Sequence, residues 1–192
     1  MMATSAPSPA AVPASTALLR RCVSGVMRHA ESGELPLYTW TLGLAQEDLC
    51  QLLAYCFPEL DALERLPEAQ YETILRTAAP QLHQLVQLLL SLRSPDADAS
   101  ATYWAAHVVS AAASGSRHLW QDLGLGARDD VTALLQHFFA PFCARNTAQL
   151  KWKRFMFQQL ALEQPSAAPH KPDCTQCEQH AVCFPPALTL AP

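Results

Sequence analysis

Apolar residues in this chain recur three, four and seven positions apart and almost nowhere alternate, which constrains the fold more than any other feature. Leu49, Leu52, Leu53 and Cys56 follow that spacing. So do Leu82, Leu85, Val86, Leu89 and Leu90 after Pro80, and Val131, Leu134, Leu135, Phe138 and Phe139 after the acidic pair Asp129 and Asp130. Each set makes one apolar stripe on a helix. Pro58, Pro67, Pro80 and Pro141 punctuate the chain between or near the starts of these segments, where a missing N–H and a fixed φ are tolerated. Between Ala99 and Ala113, small alanine and serine side chains surround Tyr103, Trp104 and His107, a composition suited to a helix packed closely on its neighbours. Asn146 with Gln149 three residues on resembles a capping box, and it precedes Trp152, Phe155, Met156 and Leu160 at helical spacing. The expectation is an all-α fold, a single domain of about six helices.

At 192 residues the chain is long enough to bury one real core. Its organisation divides into three: residues 1–30 as a disordered tail rich in Ala, Pro and Ser, 31–163 as the helical domain, and 164–192 as an irregular arm. The opening MMATSAPSPAAVPAST has neither a basic start nor an apolar run suited to a secretory signal. No segment approaches the roughly 18 uninterrupted apolar residues of a membrane-spanning helix. A cytoplasmic protein is expected, with no membrane partner. The formal net charge of −4 argues against an extended phosphate-tracking surface, so no nucleic-acid partner is expected either. A Gly-rich phosphate loop, a nucleophile motif and HExxH are all missing from the sequence, and the chain is expected not to be an enzyme.

Three of the seven cysteines fall within ten residues near the end, in HKPDCTQCEQHAVCF from His170 to Phe184. Cys174 and Cys177 form a CxxC pair and Cys183 follows after five intervening residues. In a reducing compartment such clustering points to metal or redox chemistry rather than to structural disulfides. A zinc knuckle would use the three thiolates with His170 or His180. An iron–sulfur or mixed-metal cluster would use the same three, with a fourth ligand elsewhere. A thiol–disulfide CxxC fits less well, because no βαβ pattern precedes it and Cys183 would have no role. A tail with cysteines clustered by chance fits worst. Spacing does not separate zinc from iron.

Two further stretches, RHLWQDLGL (117–125) and LKWKRFMFQQL (150–160), precede the cysteine segment. In that order the three resemble the NifQ family of nitrogen-fixation proteins, most clearly from Arg117 to Phe184, with weaker echoes in LPLYTWTLGL and in the CFPEL ending at Leu60. The resemblance implies a molybdenum-handling protein that carries a molybdenum–iron–sulfur cluster and delivers molybdenum for the iron–molybdenum cofactor of nitrogenase. Its implied partners are a molybdate or other molybdenum source and the scaffold and reductase components of cofactor assembly. Its implied metal ligands are Cys174, Cys177 and Cys183. The family pattern has another cysteine ahead of CxxC, and Pro169 occupies that position here. His170 is the expected substitute, with His180, Cys143, Cys22 or an open position as alternatives. Zinc remains the alternative metal, in a zinc-stabilised interaction module.

Four more residues are candidates for binding the cofactor or its oxyanion precursor. Arg117 and His118 would offer donors to molybdate, and Lys151 and Arg154 would supply a positive field beside the arm. His118 and Asp122, four apart, would share a helix face. Trp120 and Leu123 are read as structural anchors, with Gly124 or Gly126 ending the helix. His83, His107 and His137 are read as core or boundary histidines, and Cys56 as a small core residue.

Overall fold

In a computed structural model, residues 13–60 and 64–163 are described, and among them every regular element is helical. The helices are α1 (Ala14–Glu31), α2 (Gln46–Cys56), α3 (Glu68–Leu75), α4 (Pro80–Ser91), α5 (Ala99–Ala113), α6 (Leu119–Asp122), α7 (Arg128–Phe138), α8 (Ala140–Ala144) and α9 (Trp152–Glu163), with a 3-10 turn at Leu37–Thr41. The all-α expectation holds; the count of about six does not. The surplus consists of α1 and of short elements at chain reversals. α7 ends at Phe138, and after Phe139 the chain restarts as α8 around Pro141. Ser94 closes that break: its N–H donates to Phe138 O at 2.8 Å, and its hydroxyl accepts the N–H of Ala140 at 2.9 Å.

The core is organised around α5. Nearly every side chain from Ala101 to Ala113 is buried, because alanine, serine and valine let α1 and α4 both approach it closely. Asp98 starts the helix by accepting the N–H of Ala101 at 2.8 Å. His107 is the hydrogen-bonded core histidine expected of it: burial holds its imidazole below the usual value, and Nδ1 lies 2.9 Å from Leu42 O. Leu42 takes a left-handed conformation, φ 54°, at the end of the 3-10 turn. His107 thus pins a strained, fully buried residue of LPLYTWTLGL to the central helix.

The segment expected to be a tail up to residue 30 becomes α1 from Ala14 onward. Leu19, Cys22, Val23, Val26 and Ala30 keep helical spacing and are all buried, so the helix is part of the core. Through Gly25 it comes very close to the segment after α6. A Cβ on Gly25 would lie 2.2 Å from Leu123 O, and one on Gly124 would lie 2.6 Å from Gly25 Cα. Asn146 is not a helix cap. Its side chain clasps Leu150 from both sides, Oδ1 accepting the Leu150 N–H at 2.8 Å and Nδ2 donating to Leu150 O at 2.9 Å, and α9 begins two residues later. No helix among the described residues is long and apolar enough to cross a membrane.

Candidate functional site

RHLWQDLGL folds as one turn of helix between two reversals. The Gln121 side chain accepts the His118 N–H at 3.0 Å, and the Asp122 N–H donates to His118 O at 3.0 Å. Gly124, at φ 65°, ends the turn, while the Leu125 N–H reaches back to Trp120 O at 2.8 Å. Leu123 is fully buried and Trp120 is packed on the core, as anchors should be.

Asp122 does not face His118 across a helix surface; its carboxylate turns inward. It is fully buried, with Oδ1 receiving Arg117 Nε at 3.0 Å and Oδ2 receiving Lys153 Nζ at 2.5 Å. Lys153 also donates to Gly115 O at 2.8 Å. Gly115 has no room for a side chain, since a Cβ there would lie 2.3 Å from Asp122 Oδ2 and 2.6 Å from Leu35 Cδ2. Arg117 continues the chain of charges: Nη2 lies 3.2 Å from Glu34 Oε2, an ion-pair contact without hydrogen-bond alignment. Glu34 lies 2.5 Å from His29 Nδ1. The hydrogen bond from His29, and then the charge of Arg117, hold the Glu34 carboxyl below its usual range. Lysine, aspartate, arginine and glutamate therefore alternate in sign from α9 to the turn after α1, so that the buried members, Lys153 and Asp122, are compensated.

Of the sequence-level candidates, Arg117 is committed to two carboxylates, so its guanidinium serves the body before it serves any anion. His118 is half-buried, its ring nearly parallel to Trp120 at 13° with centroids 6.4 Å apart. Lys151 sits just ahead of α9, its carbonyl receiving the Phe155 N–H at 2.9 Å. Lys151 and Arg154 are partly exposed, while Trp152, Lys153, Phe155, Met156, Phe157 and Leu160 are buried. Lys151 precedes α9 and Arg154 lies in its first turn, whereas the helix ends at Glu163, about 15 Å along the axis. They border the start of that helix.

Lys153 is the residue the sequence reading passed over. Its signal was there: position 153 keeps step with Phe157 and Leu160 at i+4 and i+7, which puts a lysine on the apolar face. A lysine in that register must snorkel or find a buried acid.

Cys174, Cys177, Cys183 and His170 lie outside the described residues. Among the described residues, no group of three or more His, Cys, Asp or Glu side chains is arranged to hold a metal ion. Two alternatives for a fourth ligand, Cys22 and Cys143, lie in the helical body. Burial pushes the Cys22 thiol up to about 12 and the Cys143 thiol up to about 11. Cys56, a core residue as expected, is likewise raised by burial to about 11. His83 and His137 are exposed on α4 and α7.

Comparison with known proteins gives a consistent result. The family model described as NifQ matches residues 22–185. The chain is 32% identical over 151 residues to the NifQ protein of Azotobacter vinelandii, covering 74% of this chain and 76% of that one. It is 30% identical over 160 residues to the NifQ protein of Rhodobacter capsulatus, covering 83% and 84%. It is 28% identical over 165 residues to a NifQ homologue of Sinorhizobium fredii, covering 85% of this chain and 69% of that one. No solved structure matches.

Proposed function

The chain belongs to the NifQ family, and from that premise we propose that it is a cytoplasmic, non-catalytic carrier for nitrogen fixation. It takes molybdenum from molybdate or another source, holds it as a molybdenum–iron–sulfur cluster, and hands it to the scaffold and reductase components that build the nitrogenase cofactor. The cluster is cargo. The single observation that carries this reading is the CxxC of Cys174 and Cys177 with Cys183 five intervening residues on, at the end of a chain whose body is a closed helical core.

The donor set suits the cargo. Thiolates are soft ligands favoured by iron–sulfur clusters, and three of them leave a coordination position for an imidazole, a heterometal or an acceptor. Pro169 cannot ligate, so His170 supplies the neighbouring donor. Exchanging thiolate for neutral imidazole removes negative charge from the site and raises its potential. The helical body contributes fixed charge rather than ligands: His118, Lys151 and Arg154 offer donors to an oxyanion, with Arg117 holding the segment in place.

A second reading is favoured by one observation, the replacement of the family's first cysteine by Pro169 beside His170. Three cysteines and a histidine form a complete tetrahedral set for structural zinc, and the arm would then be a metal-folded docking element.

The two separate on protein made without oxygen in cells supplied with iron and molybdate. The carrier reading expects visible charge-transfer absorption in the purified chain, loss of it in Cys177→Ala, and a shifted spectrum in His170→Ala, with the helical circular dichroism unchanged in all three. A colourless chain with one zinc and no iron would overturn it in favour of the second reading.

A further inference from the structure

The two stretches on which the family resemblance was first read, 117–125 and 150–160, meet inside the molecule through one ammonium group. Lys153 Nζ lies 2.5 Å from Asp122 Oδ2 and 2.8 Å from Gly115 O. Asp122 is fully buried and Lys153 nearly so, so water does not readily stand in for either partner. The rest of the inner face of α9 is Trp152, Phe155, Met156, Phe157 and Leu160. Trp152 Nε1 donates to Thr132 Oγ1 at 3.1 Å at the partly buried start of the helix; the remaining contacts are apolar and non-directional. A buried ion pair is directional. It is satisfied in one register; in any other, Lys153 is left an uncompensated buried charge and Asp122 keeps only Arg117.

The far side of the pair is itself braced. Asp122 Oδ1 is held by Arg117, and Arg117 leans on Glu34 beyond the end of α1. Gly115, packed against both Asp122 and Leu35, closes the pocket around the carboxylate. The anchor for Lys153 is therefore built from the turn after α1, the α5–α6 turn and α6, all parts of the body, whereas Lys153 belongs to the helix that precedes the cysteines in the sequence. Because α9 is about 18 Å long, a rotation permitted at its first turn is carried to its last.

We propose that Lys153 and Asp122 are positioning residues: their buried pair sets the register of α9, the helix that precedes Cys174, Cys177 and Cys183 in the sequence, so that breaking the pair lowers metal loading of a body that stays folded. The inference rests on the carrier reading above. Asp122 is the discriminating member, since a fully buried carboxylate cannot touch the cargo.

The test uses the full chain and the variants Lys153→Met and Asp122→Asn. Lys153→Met keeps the length of the stem and leaves Asp122 paired with Arg117. Two quantities are read: amide hydrogen exchange of α4, α5 and α9, and iron and molybdenum per chain after anaerobic loading with iron, sulfide and molybdate. In both variants, exchange in α9 is expected to rise at least tenfold with α4 and α5 unchanged, and metal content to fall at least threefold; Lys153→Arg is expected to recover part of each. Unchanged exchange in α9, full metal content with a loosened α9, or exchange rising throughout the body would each overturn the positioning role. If the unsubstituted chain takes up neither metal, the carrier reading fails instead, and the exchange comparison still decides whether the pair sets the pose of α9.

Discussion

Replacing Gly25 with alanine tests whether α1 belongs to the core, because the sign of the effect depends on it. An exposed helical glycine gains about 1 kcal/mol on becoming alanine, since alanine has the higher helix propensity. At Gly25 the new Cβ would lie 2.2 Å from Leu123 O, 2.6 Å from Leu123 C and 2.7 Å from Gly124 Cα. All three are backbone atoms, so no side chain can swing aside, and the two segments must separate by about an ångström. Gly124 cannot yield easily, because its φ of 65° and the turn it closes are tied to its place. Overpacking of this kind costs about 3 kcal/mol at the upper end of its usual range. Subtracting the propensity gain leaves a net loss of about 2 kcal/mol. For a chain of this size that lowers Tm by roughly 4–8 °C. Gly33→Ala is the control: a Cβ there meets nothing within 4 Å, and only its φ of 75° opposes the change, at a cost of roughly 1 kcal/mol. Thermal unfolding followed by circular dichroism reads both. A Gly25→Ala protein as stable as the original, or more stable, would refute the packing of α1 against residues 123–124.

Two further outcomes follow from the core. His107 is held below its ordinary value of 6.5 by burial, so the unfolded chain takes up the proton first. Stability is then fully present above about pH 6.5 and declines as pH falls below it, until the folded histidine also titrates. Urea midpoints between pH 7.5 and 5 are expected to show that decline and to show less of it in His107→Gln, whereas equal slopes would contradict the assignment. Tyr71 is buried and its hydroxyl donates to Leu44 O at 2.9 Å; Tyr71→Phe orphans that carbonyl and is expected to cost about 1–2 kcal/mol, seen as a lower urea midpoint with an unchanged slope.

What was legible in the sequence was what periodicity can carry. Leu82 to Leu90 and Val131 to Phe139 announce their stripes because long aliphatic and aromatic side chains repeat without interruption, and α4 and α7 appear where they were expected. The small-residue run 99–113 was legible for a different reason: close packing needs small side chains, and α5 is the helix the others surround. α1 was missed although its apolar residues keep helical spacing, because the Ala/Pro/Ser opening masks where it starts. The Lys153–Asp122 pair was out of reach for another reason. Its members are 31 residues apart, and no local period encodes a contact made by folding. Lys153 could have been flagged as a cation on an apolar face, but its partner could not have been named. Arg117 shows the reverse case. Beside His118 it looked like a donor to an anion, and only the fold reveals two carboxylates already against it.

The central claim is that this chain carries molybdenum and gives it up, and following the element itself tests that most directly. Protein made anaerobically with iron and molybdate is desalted, assayed for molybdenum and iron per chain, mixed with the cofactor-assembly scaffold, separated from it, and assayed again. The account predicts both elements on the chain at first and molybdenum on the scaffold afterwards. A chain that emerges with neither element, or one whose molybdenum never leaves it, would contradict the account.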